Sequence, residues 1–135
     1  MAPRYFTIEE ANEALEQVRP LTEELVAHRR ALLELQERQS ELTTRIAGNG
    51  SKVEPHELAD VQTRVDEEVA GIARSVARIH EVGALVKDLD EGLADFPALR
   101  EGEQVLLCWR LGEDEVAHWH GPDEGFSGRK PLPFD

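Results

Sequence analysis

At 135 residues the chain has the length of one ordinary domain, and it can bury a modest core without disulfides or a structural metal. It carries 15 Lys and Arg against 28 Asp and Glu, and the formal net charge of -13 argues against binding to nucleic acid or to an anionic membrane surface. With a single Cys, no signal peptide and no run near the roughly 20 apolar residues of a membrane helix, we expect a cytoplasmic protein.

The first predicted element is a long helix that begins with a capping box. The Thr7 hydroxyl can accept from the amide of Glu10, while the Glu10 side chain returns to the amide of Thr7. Apolar residues then recur every three or four positions over about five heptads, with polar interruptions at His28 and Gln39. The glycines around residues 48–50 end the helix, and Pro20 predicts a kink that bends the first turns away from the rest.

A second helix is predicted to start within residues 51–55, since Pro55 suits a first helical turn. Its apolar seam is interrupted by Glu68 and Ser75, and Gly83 closes it. The seam consists of Leu58, Val61, Val65, Ile72, Ile79 and Val82, widened by Val69 and Val76. Two long helices joined by a short glycine turn predict an antiparallel helical hairpin.

The C-terminal third changes to the alternating pattern of strands. Residues 84–88 and 93–96 flank one turn, and residues 103–110 and 115–120 flank a second turn at 111–114. We therefore expect an α+β fold, in which a long antiparallel helical hairpin (residues 1–83) precedes a small antiparallel β-module of two hairpins (residues 84–135). The four strands should pack on the start of the first helix and the end of the second, and the proline- and glycine-rich tail should be loop-like.

Several motifs are typical of one family. GLADFP, LCWRLGE, WH and GFSGR, together with YFTIEEAN near the start and RPL at residues 19–21, resemble the bacterial and archaeal family called domain of unknown function 2203 (DUF2203). The resemblance covers nearly the whole chain and implies one cytoplasmic domain of this type. It implies no chemistry, because the family is uncharacterised.

A candidate metal site lies in LLCWRLGEDEVAHWHG, residues 106–121. Cys108, His118 and His120 are competent ligands for Zn²⁺ or Fe²⁺, and Asp123 could supply a fourth. His118 and His120 are two residues apart, so on a strand their imidazoles leave from the same face. No other cofactor is predicted.

The register of the second hairpin decides whether the cysteine joins the histidines. A two-residue loop of Gly112 and Glu113 suits a type II′ turn and places Cys108 on the opposite face from both imidazoles. A loop of three or five residues reverses the parity, so that Cys108 faces His118 directly and the three side chains converge. The turn residues favour the first register.

Other candidate residues have plainer interpretations beside functional ones. His80 is positioned to extend the site, and Asp88, Asp90 and Asp95 are candidate ligands for a hard cation, although an Asp-rich turn is usually only a turn. Arg129 and Lys130 beside glycines are candidates for binding an anion, although packing of the tail is the simpler interpretation. No Ser-His-Asp triad can be assembled.

The sequence is compatible with two functions. The favoured one is a non-enzymatic interaction or scaffold module, a homodimer through its helical hairpin, with His28 and Gln39 helping to fix the register. Its β-module would present side chains to a protein partner, namely Trp109, Trp119, Phe126 and Arg129. For Trp109 and Trp119, packing in the core with an indole hydrogen bond is the favoured interpretation. The alternative is a metal-binding protein or metal-dependent enzyme that uses the histidine and cysteine cluster.

Overall fold

Two helices precede a five-stranded antiparallel sheet in the computed structural model, which describes residues 4–48 and 53–134. Helix α1 spans Ile8–Ala47 and helix α2 spans Pro55–Val82. The strands are β1 (Leu85–Asp88), β2 (Leu93–Arg100), β3 (Glu103–Arg110), β4 (His118–His120) and β5 (Lys130–Pro131). The predicted α+β class, with two helices packed on each other ahead of an antiparallel sheet, is confirmed.

The helix boundaries follow the predicted local signals. Thr7 Oγ1 accepts a hydrogen bond from the amide of Glu10 at 3.0 Å, and the amide of Thr7 donates to Glu10 Oε1 at 2.9 Å, which completes the capping box. Pro55 is the first residue of α2, and Gly83 ends that helix with a positive φ of 112°. Pro20 lies inside α1, which continues through it as one 40-residue helix. The predicted signals at residues 49–52 lie outside the described residues.

The polar interruptions of α1 pair with polar residues of α2. His28 Nδ1 lies 2.7 Å from Glu68 Oε2, and the Gln39 amide donates to the side-chain oxygen of Gln62. The His28 ring also packs on Gly71, where an added Cβ would lie 2.6 Å from the ring. Because these residues satisfy one another within one hairpin, they fix how α1 and α2 align.

The buried apolar residues form two separate clusters. The smaller one lies in the distal part of the helical hairpin, which we call the arm, and consists of Leu32, Leu35, Leu42, Val61 and Val65. The larger one joins the first turns of α1 and the end of α2 to the sheet, as predicted; its members include Phe6, Leu15, Val18, Leu25, Ile79, Phe96, Leu107 and Trp109. The β-module is thus anchored at one end of the hairpin.

Strands β2 and β3 show that the sheet has a helix-facing side and an outer side. Residues 94, 96 and 98 of β2 and residues 105, 107 and 109 of β3 belong to the larger core cluster. Side chains alternate along a strand, so Asp95, Leu106 and Cys108 point to the outer side. Leu106 and Cys108 are nevertheless buried, which requires a cover on that side as well.

The tail supplies this cover and changes the predicted strand count. The structure has five strands in the order β1-β2-β3-β4-β5, whereas the sequence predicted four in two hairpins. The fifth strand comes from the tail that was expected to be loop-like, where Trp119 pairs with Lys130 and His118 with Pro131. A short 3₁₀ helix at Phe126–Gly128 precedes it.

Candidate metal centre

The register of β3 and β4 brings the cysteine and the histidines to the same side of the sheet. Cys108 pairs with His118, Leu107 with Trp119 and Leu106 with His120. The favoured type II′ register is therefore wrong, and the alternative parity is the one that forms. The tight turn lies one residue earlier than the predicted one, because the amide of Glu113 donates to Arg110 O at 3.0 Å. Strand β4 begins only at His118, so the connection between the strands is longer than two residues.

Contacts from α1 explain why local turn preference does not set this register. The Asn12 side chain accepts from the amide of Val116 at 2.7 Å, and the Arg19 guanidinium donates to the carbonyls of Glu113 and Asp114 at 3.0 and 2.7 Å. Val116 itself is 1% exposed within the core. These contacts pull the segment between the strands onto the helix, so it cannot form the two-residue loop that would have separated Cys108 from the histidines.

The outer side of the sheet carries a buried cluster of three potential metal ligands. Asp95 on β2, Cys108 on β3 and His120 on β4 each offer one ligand atom, and these atoms all lie within 4.8 Å of one another. The three residues are 1%, 2% and 4% exposed. Asp95 pairs with Cys108 across β2 and β3, which places them side by side, and His120 reaches Asp95 diagonally.

The hydrogen bonds of His120 fix which ring nitrogen carries its proton. Nδ1 lies 2.8 Å from the carbonyl oxygen of Gly121, which can only accept, so Nδ1 is the donor. In the neutral ring Nε2 then presents a lone pair, and it lies 3.1 Å from Asp95 Oδ2. Two lone-pair-bearing atoms at this separation need a proton or a cation between them.

The Asp95 carboxyl group is incompletely satisfied. Its Oδ1 is buried and has no hydrogen-bond partner among the described residues. Burial raises the pKa of this carboxyl group, and the charge and hydrogen bond of His120, the charge of Lys87 and a hydrogen bond from the Cys108 thiol only partly oppose that rise. A buried acceptor without a donor is costly, and a bound cation would relieve that cost.

The Cys108 thiol is not an activated nucleophile. Burial, followed by the neighbouring Asp95 carboxylate, raises its pKa to about 12, so at neutral pH it is protonated. His120 directs Nε2 to Asp95 and Nδ1 to Gly121, so neither nitrogen is hydrogen-bonded to the thiol. A cysteine–histidine hydrolase is therefore a poor interpretation, whereas a coordinated metal ion would deprotonate the thiol.

A pocket of about 230 Å³ opens beside the cluster. Asp95, Cys108 and His120 form part of its wall, and the tail after β4 closes it from outside through Pro122, Glu124, Gly125 and Phe126. Arg129 holds this tail down, since its guanidinium donates to Cys108 O at 3.3 Å and to Glu113 Oε1 at 2.7 Å. A ligand in the pocket would contact the cluster directly.

Two of the predicted ligands lie apart from this cluster. His118 is on the same side and pairs with Cys108, but its Nδ1 faces Glu113 Oε2 at 3.8 Å and it is not a member of the three-residue group. Asp123 is exposed in the turn after β4 and is not a member either. The structure thus keeps Cys108 and His120 together and adds Asp95.

The residues expected to meet a protein partner are buried or half-buried. Trp109 is 0% exposed in the core and donates through its indole nitrogen to Glu113 O at 2.9 Å, which agrees with the core-packing interpretation and leaves no surface of this ring for a partner. Trp119 is half-buried against Phe134, and Phe126 and Arg129 stack on each other with 4.5 Å between the guanidinium carbon and the ring centroid.

The remaining candidates have structural roles. Asp88 accepts from the amide of Glu91 at 2.6 Å within the first turn, and Asp90 pairs with Arg29 at 2.9 Å. Lys130 pairs with Glu124 at 2.7 Å. His80 is exposed near the end of α2.

The comparison with protein families decides the family. The model of DUF2203, described as an uncharacterized conserved protein, matches residues 4–132. The chain belongs to the DUF2203 family. Neither the curated proteins nor the solved structures contain a significant match to this DUF2203 chain. Among its described residues, no helix has the length and apolar character to cross a bilayer.

Proposed function

We propose that this DUF2203 protein binds Zn²⁺ through Asp95, Cys108 and His120. The observation that carries the proposal is the convergence of one oxygen, one sulfur and one nitrogen ligand, all buried, within 4.8 Å of one another. Thiolate, imidazole and carboxylate are the three side-chain ligands that zinc takes in proteins.

The spacing within the cluster supports a tetrahedral ion. Zinc bonds of about 2.0–2.2 Å to nitrogen and oxygen place two ligand atoms of a tetrahedron about 3.4 Å apart. The Nε2 of His120 and the Oδ2 of Asp95 are separated by 3.1 Å, so a small adjustment of either side chain accommodates the ion.

The surroundings of the ligands support the same proposal. Metal-binding histidines usually donate their second ring nitrogen to a carbonyl or carboxylate, and His120 Nδ1 meets the Gly121 carbonyl in this way. The unpartnered Oδ1 of Asp95 is a further acceptor for a cation. Three protein ligands beside a pocket leave a fourth position for water or a small ligand, which is the composition of zinc sites that do chemistry.

The metal content of purified protein tests this proposal. Untagged protein prepared without chelator should contain close to one zinc per chain, measured by inductively coupled plasma mass spectrometry. His120→Gln should lose most of that zinc, because it removes the nitrogen that faces Asp95. His118→Gln is the matched control, since it makes the same substitution two residues away on the same strand and should keep the metal.

Each outcome bears on the assignment. Equal loss of zinc in both variants, with circular dichroism showing that both stay folded, would make His118 a ligand as well and overturn the three-residue assignment. Wild type without zinc, and with a thermal midpoint that added Zn²⁺ does not raise, would end the metal proposal. Stoichiometric iron instead of zinc would keep the residues and change the ion.

A second candidate function is the predicted interaction module, and the arm favours it. Three large apolar side chains of the two helices are exposed: Leu33 at 44%, Val69 at 50% and Ile46 at 55%. Apolar side chains on a helical hairpin are suited to a second copy of the chain. Light scattering tests this candidate, because a dimer would have twice the monomer mass of 15.1 kDa, and a strict monomer at micromolar concentration would contradict it.

A further inference from the structure

The pocket beside the cluster is small, and its wall is partly polar and partly apolar. Its volume of about 230 Å³ equals that of about eight water molecules, and pockets for drug-sized ligands begin at about 300 Å³. The apolar part of its wall consists of Leu93, Leu106, Pro122 and Phe126. A ligand that fits has a short hydrocarbon body.

The charges on the pocket wall favour a ligand with a negatively charged group. Glu124 is occupied, since its Oε1 accepts from Lys130 Nζ at 2.7 Å and from the amide of Gly121 at 2.9 Å. Lys87 is exposed at the wall and has no ion pair among the described residues. It lines the same pocket as Asp95, Cys108 and His120. The available charge on this wall is therefore positive.

The charge balance at the proposed zinc ion also favours a negatively charged group. A divalent ion bound by the Asp95 carboxylate and the Cys108 thiolate forms a centre with no net charge, so a single negative charge meets no repulsion from it. Lys87 then adds an attractive charge nearby. A carboxylate supplies both an oxygen ligand for zinc and an acceptor for an ammonium group.

We propose that the pocket binds a small organic carboxylate with a short apolar body. The carboxylate takes the open position of the zinc beside Lys87, and the hydrocarbon lies against Leu106 and Phe126. This inference rests on the proposed zinc site, since the ion supplies half of the recognition.

Cobalt-substituted protein in a carboxylate-free buffer provides the test, because the visible spectrum of Co²⁺ reports changes among its ligands. Titration with isovalerate should change the spectrum and saturate, with an affinity about tenfold above that of acetate, because isovalerate buries more hydrocarbon. Isovaleramide, the neutral analogue of the same shape, should bind far more weakly.

The matched variants separate the contribution of Lys87 from that of overall charge. Lys87→Gln should weaken isovalerate binding about fivefold, the effect of one exposed charge pair at its upper end. Arg64→Gln removes one positive charge from an exposed position on α2 that is not part of the pocket wall, and it should leave the affinity unchanged.

The possible failures are distinguishable. A cobalt spectrum with a thiolate band that no carboxylate alters, or an amide that binds as well as the acid, would overturn the ligand class and leave the metal site standing. Acetate binding as tightly as isovalerate would overturn the apolar half of the recognition. Absence of cobalt binding would remove the metal site and this inference together.

Discussion

The contact between Asn12 and Val116 allows the origin of the hairpin register to be tested. Asn12→Ala removes the side-chain oxygen that accepts from the Val116 amide at 2.7 Å. Val116 is 1% exposed, so its amide would be left buried without a partner. Leaving such a group unsatisfied costs about 1–3 kcal/mol of the free energy of unfolding.

The expected size of the effect follows from the length of the chain. For 135 residues, an unfolding entropy of about 2.1 cal/mol/K per residue converts this loss into a decrease of about 4–10 °C in the thermal midpoint. Urea unfolding followed by circular dichroism measures the free energy, and a thermal scan measures the midpoint. The variant should also bind zinc more weakly, because the same loop positions His120.

Two control variants make the result specific. Asn12→Asp keeps the acceptor oxygen and should lose much less stability than Asn12→Ala. Gln17→Ala changes an exposed residue of the same helix and should have an effect within about 0.5 kcal/mol. If Asn12→Ala were as stable as the wild type, or if Asn12→Asp were equally destabilised, the loop would not depend on this hydrogen bond.

Two further predictions concern the tail and the arm. Burial raises the pKa of Glu113, but hydrogen bonds from Arg129 and the Arg110 amide and the charge of Arg129 outweigh it, so the net pKa lies below the ordinary 4.5. Because its pKa is lowered in the folded state, ionised Glu113 stabilises the protein at pH values above its ordinary pKa. This stabilisation is lost as the pH falls through the pKa of the folded state. Glu113→Gln should therefore be less stable than wild type at pH 7, with the difference shrinking below about pH 4.5; a difference in urea unfolding that is constant from pH 7 to pH 3 would contradict this. Leu42 is 0% exposed in the arm cluster, so Leu42→Ala should cost about 2–5 kcal/mol. In Leu42→Ala, amide hydrogen exchange should be faster than in wild type in the arm but not in β2 and β3. Equally faster exchange in both regions would show that the two clusters unfold as one unit.

The helices were predictable because their signals are local. The capping box at Thr7 and Glu10, the proline at residue 55 and the glycine at residue 83 each act through neighbouring backbone groups, and all three are found where expected. The polar interruptions were recognised too. Their partners were not, because the sequence does not show which residue of α2 lies opposite His28.

The hairpin register could not be predicted from its own residues. Gly112 does adopt a positive φ of 106°, as a glycine turn requires. The parity depends on Asn12 and Arg19, which are about a hundred residues away in sequence and hold the loop through its backbone. Tertiary contacts of this kind override turn preference, and the loop sequence gives no sign of them.

Asp95 is the member of the cluster that the sequence does not connect with the candidate metal site. The sequence groups it with Asp88 and Asp90 around a turn, whereas β2 places it beside Cys108. A detectable signal existed, because Asp95 stands between Ala94 and Phe96 in an otherwise apolar strand. A buried carboxylate in that position needs a partner, and strand alternation places it beside Cys108.

The zinc site itself is tested most directly by X-ray absorption at the zinc edge. Wild-type protein loaded with one zinc should show a single sulfur neighbour at about 2.3 Å together with nitrogen and oxygen neighbours at about 2.0–2.2 Å. Cys108→Ser should lose the sulfur shell and keep the others. A wild-type spectrum with nitrogen and oxygen neighbours alone would contradict zinc binding by Asp95, Cys108 and His120.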